Sequence, residues 1–241
     1  MKILVFLFLL ITHVSVCSQS ITVGVLKFAP PFSAVAGDGN HFFGFCIDVM
    51  DTICKRLHLE CLYKATTVEN QLQMLANGKV DLLFAPNPIS PALPKEFIFS
   101  LPYLASNGQF IALQKTNVAN INDIDNKKIG VLHDTLFKSL VYSNFSSGNQ
   151  IQEYPFVADL ISGLAAGEVD VMVINASDAR YVVNNSNQSL KLVGGKIPMG
   201  EGYGIIALKK NNTLIRRINQ SLVDMESDST YLTLYNNYFG D

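Results

Sequence analysis

Tryptophan is absent from the 241 residues and charge of either sign is sparse, with 18 Lys and Arg against 20 Asp and Glu for a formal net charge of −2. A nearly neutral chain with scattered cations lacks the basic stripe that a nucleic-acid surface requires, which excludes nucleic acid as a partner. No Cys-x-x-Cys occurs and the 4 His are isolated, so no zinc-type ligand set exists. Gly-x-Ser-x-Gly, His-Glu-x-x-His and phosphate-cradling glycine loops are missing as well. The chain is therefore read as a non-enzyme with no catalytic residue, no metal and no cofactor. Past the N-terminus no apolar run approaches the ~20 residues needed to cross a bilayer. Heptads and low-complexity tracts are also lacking.

What is present begins at the N-terminus. Met1-Lys2 is followed by an almost unbroken apolar run over residues 3–11 and then by the small residues Ser15, Cys17 and Ser18. A positive start, a short apolar stretch and small residues make a secretory signal peptide over residues 1–18. Two processing readings compete: cleavage after Cys17 or Ser18, and lipoprotein anchoring at Cys17, against which Val16 is a poor preceding residue. Either route exports the chain, and a periplasmic location is expected. Export sets an oxidising context, in which Cys54 and Cys61, separated by six residues, are a candidate disulfide. The alternative is two buried free thiols. Cys46, between Phe45 and Ile47, is expected to be buried.

An internal repeat points to the architecture. Leu75-Ala-Asn-Gly-Lys-Val-Asp81 returns as Leu164-Ala-Ala-Gly-Glu-Val-Asp170, each copy reading as a helix end, a stopping glycine and a buried strand. Upstream of each copy stands a short apolar strand, Val23-Gly-Val-Leu26 and Ile129-Gly-Val-Leu132. The same order twice implies two α/β lobes of similar design. Strands read at 108–115 and 202–209 serve as the two crossings of a hinge, with helices at 213–225 and 231–239 returning to the first lobe. The expected division is lobe 1 over residues 20–108 plus 204–241, and lobe 2 over 109–203. Ligands gather at the carboxyl ends of strands in such sheets, which places a site in the cleft between the lobes.

These segments, in their order and spacing, resemble the family 3 periplasmic solute-binding proteins of ABC importers, the arginine- and histidine-binding kind in pattern. The stretches that carry the resemblance are Gly24-Val-Leu-Lys-Phe-Ala-Pro-Pro-Phe32, Gly44-Phe-Cys-Ile-Asp48, Cys54 with Cys61, and Gly78-Lys-Val-Asp81. They continue with Phe99-Ser-Leu-Pro-Tyr103, Gly130-Val-Leu132, Gly202-Tyr-Gly-Ile205 and Thr230-Tyr231, covering the chain from about Ile21 to Phe239. The resemblance implies a two-lobed type II periplasmic binding fold with a hinge of two crossing strands. It also implies capture of a small, amino acid-like molecule for a membrane permease, and a monomer.

The clamp that this family uses for an amino acid is substituted here. Leu93 stands where an Arg would hold the α-carboxylate, and Asn175 where an Asp would pair with the α-ammonium. Asp134-Thr135-Leu136 replaces a Gly-Thr-Thr, while Ala85, Pro86 and Pro88 replace small hydroxyl residues. Ala29 replaces an aromatic platform, with Phe28 one residue away, and Cys46 replaces an Asp. Hydrogen bonds to charged groups contribute roughly 1.5–3 kcal/mol each. Loss of both charged partners thus removes about 3–6 kcal/mol, some two to four powers of ten in affinity. The candidate ligand-binding residues are Phe28, Asn87, Ser90, Leu93, Asp134, Thr135 and Asn175. They offer amide, hydroxyl and apolar groups with one carboxylate and no cation, which suits a neutral or cationic solute. Asn87, Ser90 and Asp134 also read as turn or helix caps, and Phe28 as core. Two other functions are weighed: a divergent receptor that signals instead of transporting, and a cyclohexadienyl dehydratase-like lyase using His133 beside Asp134.

Overall fold

The computed structural model describes residues 19–240 apart from Ala92 and Asp134, so the expected signal peptide lies outside the described residues. The chain runs from β1 (Gln19–Leu26) through a small antiparallel sheet of β2 (Phe28–Ala29), β3 (Ser33–Val35) and β4 (Phe42–Phe43) into α1 (Phe45–Leu57) and β5 (Leu59–Thr66). It continues with α2 (Gln71–Ala76), β6 (Leu82–Leu83), β7 (Phe97–Phe99) and β8 (Asn107–Leu113). Then come β9 (Lys128–Leu132), α3 (Leu136–Asn144), β10 (Gln150–Tyr154), α4 (Val157–Ala166), β11 (Val171–Asn175) and α5 (Ala176–Asn184). The last elements are β12 (Leu190–Pro198), β13 (Ile206–Leu208), α6 (Asn212–Ser227) and α7 (Thr230–Phe239).

Two five-stranded sheets result, ordered β5-β1-β6-β13-β7 and β10-β9-β11-β8-β12. In each, the opening strand is flanked by two parallel partners, and an antiparallel strand pairs with the third. The repeat seen in the sequence is thus a repeat of topology. Its aspartates explain why it recurs. Asp81 accepts from the Thr22 N–H at 2.9 Å and donates its own N–H to the Thr22 carbonyl at 2.7 Å. Asp170 does the same with Lys128, at 2.8 Å in both directions. Each staples the start of its strand to the neighbouring parallel strand, so the motif sets sheet register. Close packing explains the glycines of the opening strands. A Cβ on Gly130 would lie 2.6 Å from Leu160 of α4, and one on Gly24 would lie 2.8 Å from Leu83.

The helix α1 follows Gly44, carries Asp48 in its first turn and Lys55 and Arg56 in its last, in accord with its dipole. It stops at His58, which takes the left-handed conformation at φ 53°. The chain then turns back so that Cys61 on β5 meets Cys54, and the two form a disulfide with Cα atoms 6.1 Å apart. Cys46 is a buried free thiol. The apolar face of α1 packs with Ile215, Ile218, Leu222 and Met225 of α6, spaced for one side of that helix. Aromatic residues of α7 close this core, with the rings of Phe45 and Phe239 4.9 Å apart and the Tyr238 hydroxyl donating to Asp48 at 2.6 Å.

Of the segments read as crossings, β8 belongs to the second sheet and β13 to the first, while residues 202–205 lie between the sheets. The chain passes between sheets just before each, through residues 103–106 and 199–205. The two passages are bonded to each other. Tyr103 N–H donates to the Tyr203 carbonyl at 2.8 Å, Tyr203 N–H to Leu104 at 2.7 Å and Met199 N–H to Ser106 at 3.0 Å. The Ser106 hydroxyl donates to the Met199 carbonyl as well.

Replacing Asp81 or Asp170 with Ala is expected to cost about 1–3 kcal/mol each, as a strand N–H loses its partner. Urea unfolding checks this, and an unchanged midpoint removes the staple role. The disulfide closes a short loop and stabilises by about 2–3 kcal/mol. Alkylation of the unfolded, unreduced chain from Gln19 onward should find Cys46 alone reactive.

Candidate functional site

Between the sheets the strand ends converge. Leu26 ends β1, Leu132 ends β9, Asn175 ends β11 and Asn87 follows β6; all four line one cleft of about 640 Å3. That volume lies within the roughly 300–1,000 Å3 of small-molecule sites. Residues of both halves contribute, among them Leu72 and Gln71 from α2, Lys138 from α3 and Val157 from α4.

Five residues anticipated from the sequence line this cleft: Asn87, Ser90, Leu93, Thr135 and Asn175. Asp134 falls outside the described residues. Phe28 is placed differently. It is 51% exposed, while its neighbour Ala29 is buried and faces the cleft. Successive residues of a strand point to opposite sides, so with Ala29 turned inward on β2, Phe28 is turned out.

Several lining groups already have partners. Asn87 and Gln71 exchange reciprocal amide hydrogen bonds, both at 3.1 Å. The Thr135 hydroxyl donates to the Leu132 carbonyl at 2.7 Å and accepts from the Lys138 N–H as the cap of α3. Asn175 caps α5, its Oδ1 accepting from the Ser177 N–H at 2.7 Å. Capping and lining are thus the same placement: a cap at a strand-to-helix turn sits at the carboxyl end of the strand. Leu93 packs against the apolar cluster of Leu75, Val80 and Leu83.

Sequence reasoning missed Asp178. It lies in the first turn of α5, is 7% exposed, lines the cleft and has an Oδ1 with no hydrogen-bond partner. Burial pushes its carboxyl well above the usual carboxylate range. Asn175 Nδ2 and the Tyr203 hydroxyl are buried next to each other, neither in a hydrogen bond of full geometry. Burial first, and then Asp178, push the Tyr203 phenol up, against the nearby Asn107 N–H and Asn175 amide. The only cationic side chain among the described lining residues, Lys138, forms an ion pair with Glu153 at 2.9 Å. The available signal was the Asn-x-x-Asp spacing from Asn175 to Asp178, which puts both on one side of a helical turn. At the mouth, His133 Nε2 lies 2.9 Å from Glu69, joining the end of β9 to the segment before α2 across the cleft. Among the described residues no His, Cys, Asp and Glu group has the makings of a metal site, and no helix is long and apolar enough to cross a membrane.

Two α/β lobes joined by paired crossings, with a cleft at their facing strand ends, define a solute-binding protein of the two-lobed periplasmic type. The chain belongs to the bacterial extracellular solute-binding proteins, family 3, whose model matches residues 21–241. It is similar to the L-cystine-binding protein TcyJ of Escherichia coli (strain K12), 26% identical over 92% of this chain and 83% of that protein. The arginine-binding periplasmic protein of Mannheimia haemolytica is also 26% identical, over 88% of this chain and 87% of the relative. Among solved structures, an arginine 3rd transport system periplasmic binding protein from Legionella pneumophila superposes with a TM-score of 0.88 at 37% identity. That match covers 92% of this chain and 100% of the other.

A buried acid held neutral destabilises the fold once solution conditions favour its ionisation. Because the folded value of Asp178 is raised, its contribution is fully present below about pH 3.9 and is lost as pH rises toward that folded value. Asp178→Asn should therefore melt at a higher temperature than the wild type at pH 7, with the difference closing near pH 4. An Asn variant that melts lower at pH 7 refutes this account of the acid.

Proposed function

We propose that this chain is the periplasmic receptor of an ABC importer, closing its lobes on a small neutral or cationic solute and presenting it to a membrane permease as a monomer. The observation that carries the reading is the cleft itself, lined from both halves at the carboxyl ends of their strands. The lobes in this reading are residues 20–108 plus 204–241 and residues 109–203. Asn87, Ser90, Leu93, Thr135 and Asn175 line the ligand in this reading. The Glu69–His133 contact supports closure over an occupant, since it spans the mouth from one half to the other.

The matched relatives carry names for arginine and cystine binding, so the solute is expected to be of amino-acid size. Its charged ends are another matter. Leu93 offers no donor, and Asn175 offers an amide where an ammonium requires a carboxylate. Export through residues 1–18 and a binding role without catalysis complete the reading.

Thermal-shift screening of the purified chain against polar metabolites, amines and amino acids tests it. The expected outcome is stabilisation by neutral or cationic compounds, with L-arginine, L-histidine and L-cystine weaker. If none of these classes raises the melting temperature, the receptor reading fails.

A further inference from the structure

Three buried polar atoms meet in one place without a hydrogen bond of full geometry: Asp178 Oδ1, and Asn175 Nδ2 beside the Tyr203 hydroxyl. Their side chains are 7%, 4% and 1% exposed as residues, so solvent does not satisfy them from outside. Asp178 and Asn175 line the cleft, and both act on Tyr203, which lies outside the lining at the crossing. Buried polar groups in folded proteins are nearly always paired, so a cluster of orphans against an open cleft marks a place where something else supplies the partners.

The inventory of the cluster states what that something must be. Asp178 Oδ1 accepts once a cation beside it favours the carboxylate; Asn175 Nδ2 donates, its Oδ1 being committed to the Ser177 N–H. The lining offers no unpaired counter-charge to a carboxylate, because Leu93 is apolar and Lys138 is paired with Glu153. A donor with positive charge therefore matches Asp178, a neutral acceptor matches Asn175, and an anionic group matches nothing in this floor.

We propose that Asp178 is the counter-ion for the amine of the cleft's ligand, with Asn175 holding a neutral oxygen beside that amine, so that the ligand is a carboxylate-free amino alcohol or amino amide with an apolar body. This rests on the receptor reading and narrows its solute class. The apolar body meets Leu26, Leu72, Leu93 and Val157. An ammonium beside Asp178 favours its carboxylate form, as does the first turn of α5, and the proton that a neutral Asp178 carries goes to solvent on binding.

The test is calorimetry on the whole chain with matched probes. L-leucinol and L-phenylalaninol carry the amine and hydroxyl, their diol analogues replace the amine by a hydroxyl, and L-leucine and L-phenylalanine restore the carboxylate. The amino alcohols should bind at least ~tenfold more tightly than the diols and than the amino acids, by the worth of one charged hydrogen bond. Asp178→Asn should erase the preference of the amino alcohols over the diols. The comparison among probes needs only the wild-type chain, so it stands even if the variant misfolds. Equal affinities for amine and diol, which a floor plugged by a bridging water would give, overturn the inference, as does an unchanged preference in Asp178→Asn. So does tighter binding of the amino acids, which leaves the receptor reading intact. If no amino alcohol binds, the inference fails, and the wider thermal-shift screen decides the receptor reading separately.

Discussion

The two chain passages between the sheets are hydrogen-bonded to each other, and the cleft depends on that pairing. Tyr103, Leu104 and Ser106 of one passage bind Met199 and Tyr203 of the other through their backbones, and β8 continues the pairing with β12. A single linker would let the halves twist freely. Two linkers tied side by side restrict their relative motion to opening and closing, which is what a solute trap requires. Tyr203 joins this frame to the site: its backbone holds the crossing together, and its hydroxyl sits behind the cleft floor next to Asn175.

Two residues set the character of the floor: Leu93, apolar and packed on its cluster, and Asp178, a buried acid facing the same cleft. Function in such folds resides in a few side chains at strand ends, which change without disturbing the staples and cores that hold the lobes.

Much of this was legible in the sequence, and particular residues show why the remainder was not. The repeat around Asp81 and Asp170 was readable because sheet register demands the same residue in both halves. The Cys54–Cys61 bridge followed from spacing and an oxidising context, with free thiols as the alternative that the structure removes. Leu93 and Asn175 were found by position and do line the cleft. Phe28 was misplaced by one step of a two-residue strand, where the alternation is too short to reveal which side faces inward. Asp178 was overlooked because an acid in the first turn of a helix has an ordinary explanation in the helix dipole, and only burial exposes the extraordinary one. The strand at 108–115 flanks one crossing and residues 202–205 lie within the other, and pairing partners alone show which sheets β8 and β13 join.

The order of strands carries a consequence for how the protein is made. Every strand of the second sheet lies within residues 107–198, whereas the first sheet takes strands from residues 19–99 and then waits for β13 at 206–208. The core of that first half also waits for α6 and α7, the last helices of the chain. A polypeptide delivered N-terminus first therefore has every strand of its second sheet before the first sheet is complete, and holds β1, β5 and β6 with an unpaired edge until β13 emerges.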